Sequence, residues 1–297
     1  SALTAAASHT IAIGHSAGYA LSSGEGNVAI GYNALLTEDD GDNNTAVGYQ
    51  ALKVQNGASG TVANTALGWN AGLAVTTGTN NTIVGKGAGN VMTTASKCVI
   101  IGASAGSGAL TGDLTTDETT SDGIVAIGYA AANSLGVSVG SMAIGHRALA
   151  THTTGARNMA IGYNAMTDTD AGSNSLTSTN NIFMGYFSGG GTWADTASSQ
   201  NVAVGNYTMD GILNAANQNT AIGHNALTAL TEGDENVAIG DAAGATITTG
   251  DANTFIGAQA DGGGATSLQT AIGYQAVTAA ANSIAIGYST VTSGQYG

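Results

Sequence analysis

The sequence predicts an all-β fold, a parallel β-solenoid of about sixteen coils with about 17 residues in each coil. Three observations predict it. A motif that ends in an aliphatic residue and glycine recurs along nearly the whole chain, residue size alternates with a period of two around that glycine, and the 297 residues include 46 glycines but no proline. Alternation with period two indicates strands. Proline is disfavoured where every coil donates ladder hydrogen bonds to its neighbours.

The repeat defines the organisation of the chain. Sixteen copies of Asn-Thr/Val-Ala-Ile-Gly-Tyr-x-Ala lie between about residues 10 and 290, and they predict a single repeat domain over residues 1–297. The basic spacing between repeat glycines is 17 residues, and longer spacings indicate insertions at a few joints. The repeat glycines are Gly14, Gly31, Gly48, Gly68, Gly85, Gly102, Gly128, Gly145, Gly162, Gly185, Gly205, Gly223, Gly240, Gly257, Gly273 and Gly287.

The alternation within each copy predicts two different strand faces. Val28 and Ile30 share one face, while Ala29 and Gly31 share the other. We expect the larger residues to fill the thin core between strands. We expect the Ala and Gly face to contact another subunit, because small residues let a second backbone approach closely. A single thin roll buries little surface per residue, so association would also supply missing core.

A column of asparagines lies four residues before the repeat glycine, as in Asn27 and Asn44. These side chains are expected to stack in register at one turn, since Asn tolerates left-handed backbone and stacked amides form ladders. Cys98 occupies the same column. As the only cysteine it cannot form an intrachain disulfide, and we interpret it as a small buried spacer.

Charge and hydropathy disfavour two classes of partner. The net charge is −14, from 19 acidic and 5 basic residues. An acidic surface repels nucleic acid and anionic lipid, so neither is an expected partner. No apolar run approaches the roughly 20 residues that a membrane-spanning helix needs, so no membrane insertion is expected within this segment.

The segments NVAIGYNAL at 27–35, NTAVGYQAL at 44–52 and NTAIGHNAL at 219–227 resemble the head repeats of trimeric autotransporter adhesins of the YadA type. They are equally similar to repeats in phage tail fibre proteins. The resemblance covers about residues 10–290. It implies a left-handed β-roll, a homotrimer, and an extracellular place on a bacterial surface or virion fibre, where the segment attaches to a surface or spaces a binding tip. The choice between adhesin and tail fibre stays open, as do the flanking domains.

Candidate receptor contacts are aromatic. Tyr32, Tyr49 and Trp69 follow the glycine in three successive coils, so they predict an aromatic ladder that either binds a sugar or fills the corner of the coil. Insertions carry specificity more readily than repeated faces, which points to 103–124 and 186–201. Trp193 is expected to be displayed in the second of these loops as the best single anchor. The receptor would be a cell-surface glycan or protein.

No catalytic, metal or cofactor site is predicted. GKGAG at 85–89 lacks the spacing of a phosphate-binding loop. His15, His146 and His224 share a column but lie many coils apart, so they could meet only across a threefold axis. The acidic segments 37–42 and 231–235 offer oxygens for calcium, although solvated loops explain them as well. No Ser-His-Asp set or carboxylate pair stands out, so an enzyme is not expected.

Two other solenoid functions remain as alternatives. An ice-binding β-solenoid needs threonine at one position in every coil. Here the threonine pairs are irregular, at 76–77, 93–94, 153–154 and 248–249. A hexapeptide-type acyltransferase needs an aliphatic residue every six residues, whereas this chain places one aliphatic-Gly pair in each repeat.

Overall fold

A computed structural model describes residues 8–57, 60–111, 121–136, 138–169 and 177–292, which contain strands and turns and no α-helix. The chain divides into two compact units, residues 1–156 and 157–297. Each unit is a parallel β-solenoid in which three-residue strands recur about every 17 residues. The predicted all-β, parallel solenoid fold is therefore confirmed.

The first unit contains eight main strands in one parallel series. Each pairs in register with the strand one coil further on, so that Ile11, Ala12 and Ile13 lie beside Val28, Ala29 and Ile30. The strands are β1 (Ile11–Ile13), β2 (Val28–Ile30), β4 (Thr45–Val47), β6 (Thr65–Leu67), β7 (Thr82–Val84), β8 (Val99–Ile101), β9 (Val125–Ile127) and β10 (Met142–Ile144). The short strands β3 (Gly41–Asp42) and β5 (Gly60–Thr61) form a second parallel pair.

The second unit repeats this arrangement. Its main strands are β11 (Met159–Ile161), β12 (Ile182–Met184), β13 (Val202–Val204), β14 (Thr220–Ile222), β15 (Val237–Ile239), β16 (Thr254–Ile256), β17 (Thr270–Ile272) and β19 (Ile284–Ile286). The short strands β18 (Val277–Thr278) and β20 (Val291–Thr292) pair in parallel. Successive main strands are again in register, as Ala221 beside Ala238 illustrates.

The repeat glycine ends each main strand because the chain turns there with a backbone that other residues rarely adopt. Gly31 has φ +133° and lies against the next repeat glycine, so that a Cβ on Gly31 would be 2.3 Å from the Gly48 carbonyl oxygen. The same relationship recurs through each unit, as between Gly223 and Gly240. Both the dihedral angle and the close approach of the next coil require glycine.

The interior is the reverse of what the sequence predicted. Ala29 is fully buried inside the coil, whereas Val28 and Ile30 on either side of it are only half-buried and face outward. The expectation that Val and Ile fill the core and that Ala faces a subunit is therefore wrong. The coil is too thin for two large layers: Leu35, which follows the turn, fills the centre and leaves room only for alanine on the strand.

Some main strands carry a larger residue than alanine at their central position, and a nearby glycine makes room for it. Phe183 replaces the central alanine of its strand, and Gly189 lies against its ring, where an added Cβ would be 2.5 Å from the Phe183 Cδ1 atom. Ile100 with Gly106 and Phe255 with Gly244 follow the same scheme. In these three coils the absence of a side chain on glycine leaves room for the larger central residue.

The asparagine column forms a buried amide ladder in each unit. The Asn27 Oδ1 atom accepts the Asn44 backbone N–H at 2.8 Å, and the Asn27 Nδ2 atom donates to the Gly41 carbonyl at 2.8 Å. The predicted stacking and the amide ladder are confirmed, but the column asparagines do not have positive φ angles, so left-handed backbone does not explain the column. The amides also satisfy buried backbone groups of the neighbouring coil, although Asn44 does so through its Oδ1 atom alone.

Candidate functional site

The outward face of the main sheet is the first candidate surface. It consists of the first and third residues of every main strand, and all of these are aliphatic, methionine or threonine. None is charged, although the chain carries 19 acidic residues. In each unit these side chains are half-buried or exposed, with Ile13 and Ile286 among the most exposed. An uncharged, regular apolar face of this extent is typical of a surface that another protein covers.

Sequence reasoning assigned the buried and the outward faces of the strands the wrong way round. Strands of this kind are apolar on both sides, so alternation alone does not distinguish inside from outside. One signal was available: charged residues are missing from the Val and Ile positions as completely as from the Ala positions.

The aromatic column forms a ladder along one corner of the first unit. His15, Tyr32, Tyr49 and Trp69 follow one another with ring centroids 5.3, 5.3 and 6.3 Å apart and interplanar angles of 10–15°. Lys86 Nζ lies 5.5 Å from the Trp69 ring centroid and covers the next face. The predicted ladder therefore exists. Its ring faces cover one another, which leaves edges and hydroxyl groups to bind a sugar.

Trp193 is not a displayed anchor. Its side chain is fully buried, its ring lies 5.6 Å from the Phe183 ring, and its Nε1 atom donates to the Gly189 carbonyl at 3.1 Å. The expectation that Trp193 is exposed is therefore wrong, because this part of the insertion folds back and thickens the core. Of the other predicted contact loop, 103–124, residues 112–120 lie outside the described part of the chain.

The acidic segment 37–42 buries one of its carboxylates. Glu38, Asp39 and Asp40 bring carboxylate oxygens close together. Glu38, however, is fully buried and accepts the backbone N–H groups of Gly41 at 2.9 Å and Gly57 at 3.2 Å, so its expected place in a solvated loop is wrong. Burial raises the pKa of Glu38. The side chain acts as an internal cap for two coils.

The remaining candidate residues have structural environments. Cys98 is buried, which confirms its interpretation as a spacer, and burial raises its pKa to about 11. His146 stacks on Tyr129, and His224 Nδ1 lies 3.2 Å from Asp241 Oδ1. Threonine hydroxyls of the solenoid, such as those of Thr76 and Thr248, donate to backbone carbonyls of the next coil at 3.2 and 2.9 Å. Along the described coils these threonines do not form one continuous row.

A shallow pocket between two coils of the first unit was not predicted. Tyr129, Ala130, Asn133 and Ser134 of one coil and Arg147, Ala150 and Thr151 of the next line it. The two coils are joined beside it by the bonds from Arg147 N–H to the Tyr129 carbonyl and from Ser134 N–H to the Ala150 carbonyl, both 2.9 Å. No sign of this pocket is visible in the sequence, because Arg147 occupies a variable position of the repeat that holds Asn, Gln, Ser, Gly, Ala, Phe or Tyr in the other copies.

No protein-family model matches the chain, and a comparison with curated proteins finds no match. Within the described residues, no helix is both long and apolar enough to cross a membrane.

Proposed function

We propose that the chain is a non-enzymatic structural segment of an extracellular attachment fibre and that it assembles as a homotrimer. The uncharged outward face of the main sheet is the observation that carries this proposal. Exposed to water, its rows of Val, Ile and Thr would be an aggregation hazard. Covered by the same face of two further copies, they form the core that a single thin solenoid lacks.

Identical chains suit this face better than an unrelated partner. In each unit the outward residues recur once per coil at the strand spacing of about 4.8 Å. Copies aligned side by side therefore bring equivalent rows together in every coil, and closed symmetry gives each copy the same environment. The likeness of the motif to trimeric adhesin heads and tail fibre repeats favours three copies. It also supports a role in attaching to a surface or spacing a binding tip.

The experiment measures the oligomeric state of the intact chain by light scattering and sedimentation. Ile239 lies on the outward face of β15 and is 39% exposed; Ile212 is 57% exposed but lies outside the main strands, between β13 and β14. We expect a trimer for the natural sequence and for Ile212→Lys, and dissociation or aggregation for Ile239→Lys. A soluble monomer of the natural sequence overturns the proposal, as does a trimer that tolerates lysine at both positions.

The substitution Ala238→Leu tests the inward face of the strand independently of the outward face. Ala238 is fully buried next to Ile239, so a larger side chain there overpacks the coil interior and costs about 1–3 kcal/mol of stability without touching the outward face. This variant should unfold at lower temperature and remain trimeric while folded.

A further inference from the structure

We propose that the pocket between the Tyr129 coil and the Arg147 coil binds a carboxylated sugar residue of a surface glycan. The pocket has a volume of about 260 Å³. This lies just below the usual range for drug-sized ligands and suits one sugar ring. All seven lining residues come from one chain. The site deepens the proposed attachment role, and its binding chemistry does not depend on trimer formation.

The guanidinium of Arg147 is available to a ligand. Arg147 is exposed, and among the described residues its side chain makes no ion pair and no hydrogen bond; only its backbone N–H is bonded, to Tyr129. A planar guanidinium binds a carboxylate through two parallel hydrogen bonds, which is the strongest polar contact that a shallow site can offer.

The local charge favours an anion despite the acidic chain. Between residues 123 and 156, Arg147 is the one formally charged residue. Asp122, just before this stretch, accepts the Ser96 backbone N–H at 2.7 Å and so is held by the preceding coil. Coulomb interactions at an exposed site are screened beyond about 8 Å at physiological ionic strength, so nearby charges outweigh the net charge of −14.

The other walls match a polyhydroxylated ring. The side chains of Asn133 and Ser134 form no hydrogen bond within the described part of the chain, so their donors and acceptors can serve ligand hydroxyls. Tyr129 is 56% exposed, compared with 45% for Tyr32 and 44% for Tyr49, because Ala103 takes the aromatic position in the coil before it. On the side of the Arg147 coil, His146 stacks on the Tyr129 ring at 5.2 Å. The phenol therefore offers its edge and hydroxyl group to a ligand in the pocket. The ligand that fits these walls has a carboxylate for Arg147, hydroxyl groups for the polar side chains and an apolar ring edge for Tyr129. An acidic sugar has all three.

The test titrates the intact protein with D-glucuronate, D-glucose, acetate and inorganic phosphate, using calorimetry and saturation-transfer NMR. We expect glucuronate to bind in the millimolar range and the other three probes to bind more weakly. Glucose lacks the carboxylate, acetate lacks the ring, and phosphate tests for a general anion site. Equal or tighter binding of any of the three overturns the assignment, as does the absence of glucuronate binding.

Arg147→Gln should weaken glucuronate binding about tenfold or more, since it removes a charge-assisted bidentate contact. Arg157→Gln is the matched control: it removes the same charge from an exposed arginine whose Nε donates to Asn180 Oδ1 at 2.8 Å, outside the pocket. Unchanged binding in Arg147→Gln, or an equal loss in both variants, overturns the proposal. Light scattering on the same samples separates this outcome from a failure of the trimer proposal.

Discussion

The indole of Trp193 lies against the ring of Phe183 with their centroids 5.6 Å apart and their planes tilted by 57°. Both side chains are fully buried in the second unit. The pair occupies a coil whose strand carries Phe where most strands carry Ala, and Gly189 provides the space between them. The insertion that carries Trp193 thus completes the core of this coil.

Trp193→Ala should destabilise the second unit by about 3–5 kcal/mol, because it removes a large buried side chain and leaves a cavity. Trp69→Ala is the control: Trp69 is half exposed and loses mainly its stacking on Tyr49, worth about 0.5–1.5 kcal/mol. Chemical denaturation followed by circular dichroism measures both. Equal effects of the two substitutions would contradict the buried position of Trp193.

Asn81→Ala should cost about 2–5 kcal/mol. The Asn81 Oδ1 atom accepts the Cys98 backbone N–H at 2.9 Å, and its Nδ2 atom donates to the Ala95 carbonyl at 2.9 Å, so the variant leaves two buried groups unsatisfied. Asn56→Ala, at an exposed asparagine of the same unit, should be nearly neutral. Thermal melts of both variants test this prediction. An unchanged melting temperature for Asn81→Ala would show that the ladder adds no stability.

Gly31→Ala should prevent the first unit from folding normally or cost more than about 4 kcal/mol, since the added Cβ would lie 2.3 Å from the Gly48 carbonyl oxygen. Gly123→Ala tests the backbone angle alone: its φ is +69° and no atom lies within 4 Å of the added Cβ. That variant should lose about 1–2 kcal/mol. Comparable melting temperatures for the two variants would refute the close stacking of repeat glycines.

His152 should make the stability of the first unit depend on pH. Burial lowers its pKa to about 4 from 6.5, so the folded state keeps it neutral while the unfolded state takes up a proton. Its contribution is complete above pH 6.5 and is lost as the pH falls from 6.5 towards 4, by on the order of 3 kcal/mol. His152→Gln should flatten this part of the stability profile, whereas His9→Gln, at an exposed histidine, should not. Identical profiles for all three proteins would contradict the burial.

The period of the motif carried most of the information on the fold. A repeat of about 17 residues with glycine after an aliphatic residue determines where strands end and which residues stack, so coils, strands and the Asn ladder were predictable. The assignment of inside and outside was not, because Ala29 and Ile30 are both compatible with burial and the thinness of the coil decides between them. Trp193 was misplaced because an insertion that folds inward has the composition of a surface loop. Arg147 was missed because a pocket formed by two coils leaves no linear motif.

The amide ladder of the first unit is interrupted, and this interruption has a consequence for ligand binding. The ladder runs from Asn27 to Cys98, but the same column then holds Ile124 and Ser141, so the two pocket coils are joined without an amide rung. Stacked coils with weaker neighbour coupling open independently more often. A sugar that binds Asn133 and Arg147 at the same time would reversibly connect these two coils. Ligand binding would then slow amide hydrogen exchange in residues 124–136 and 138–156. The slowing would be much larger there than in coils whose amide ladder is continuous.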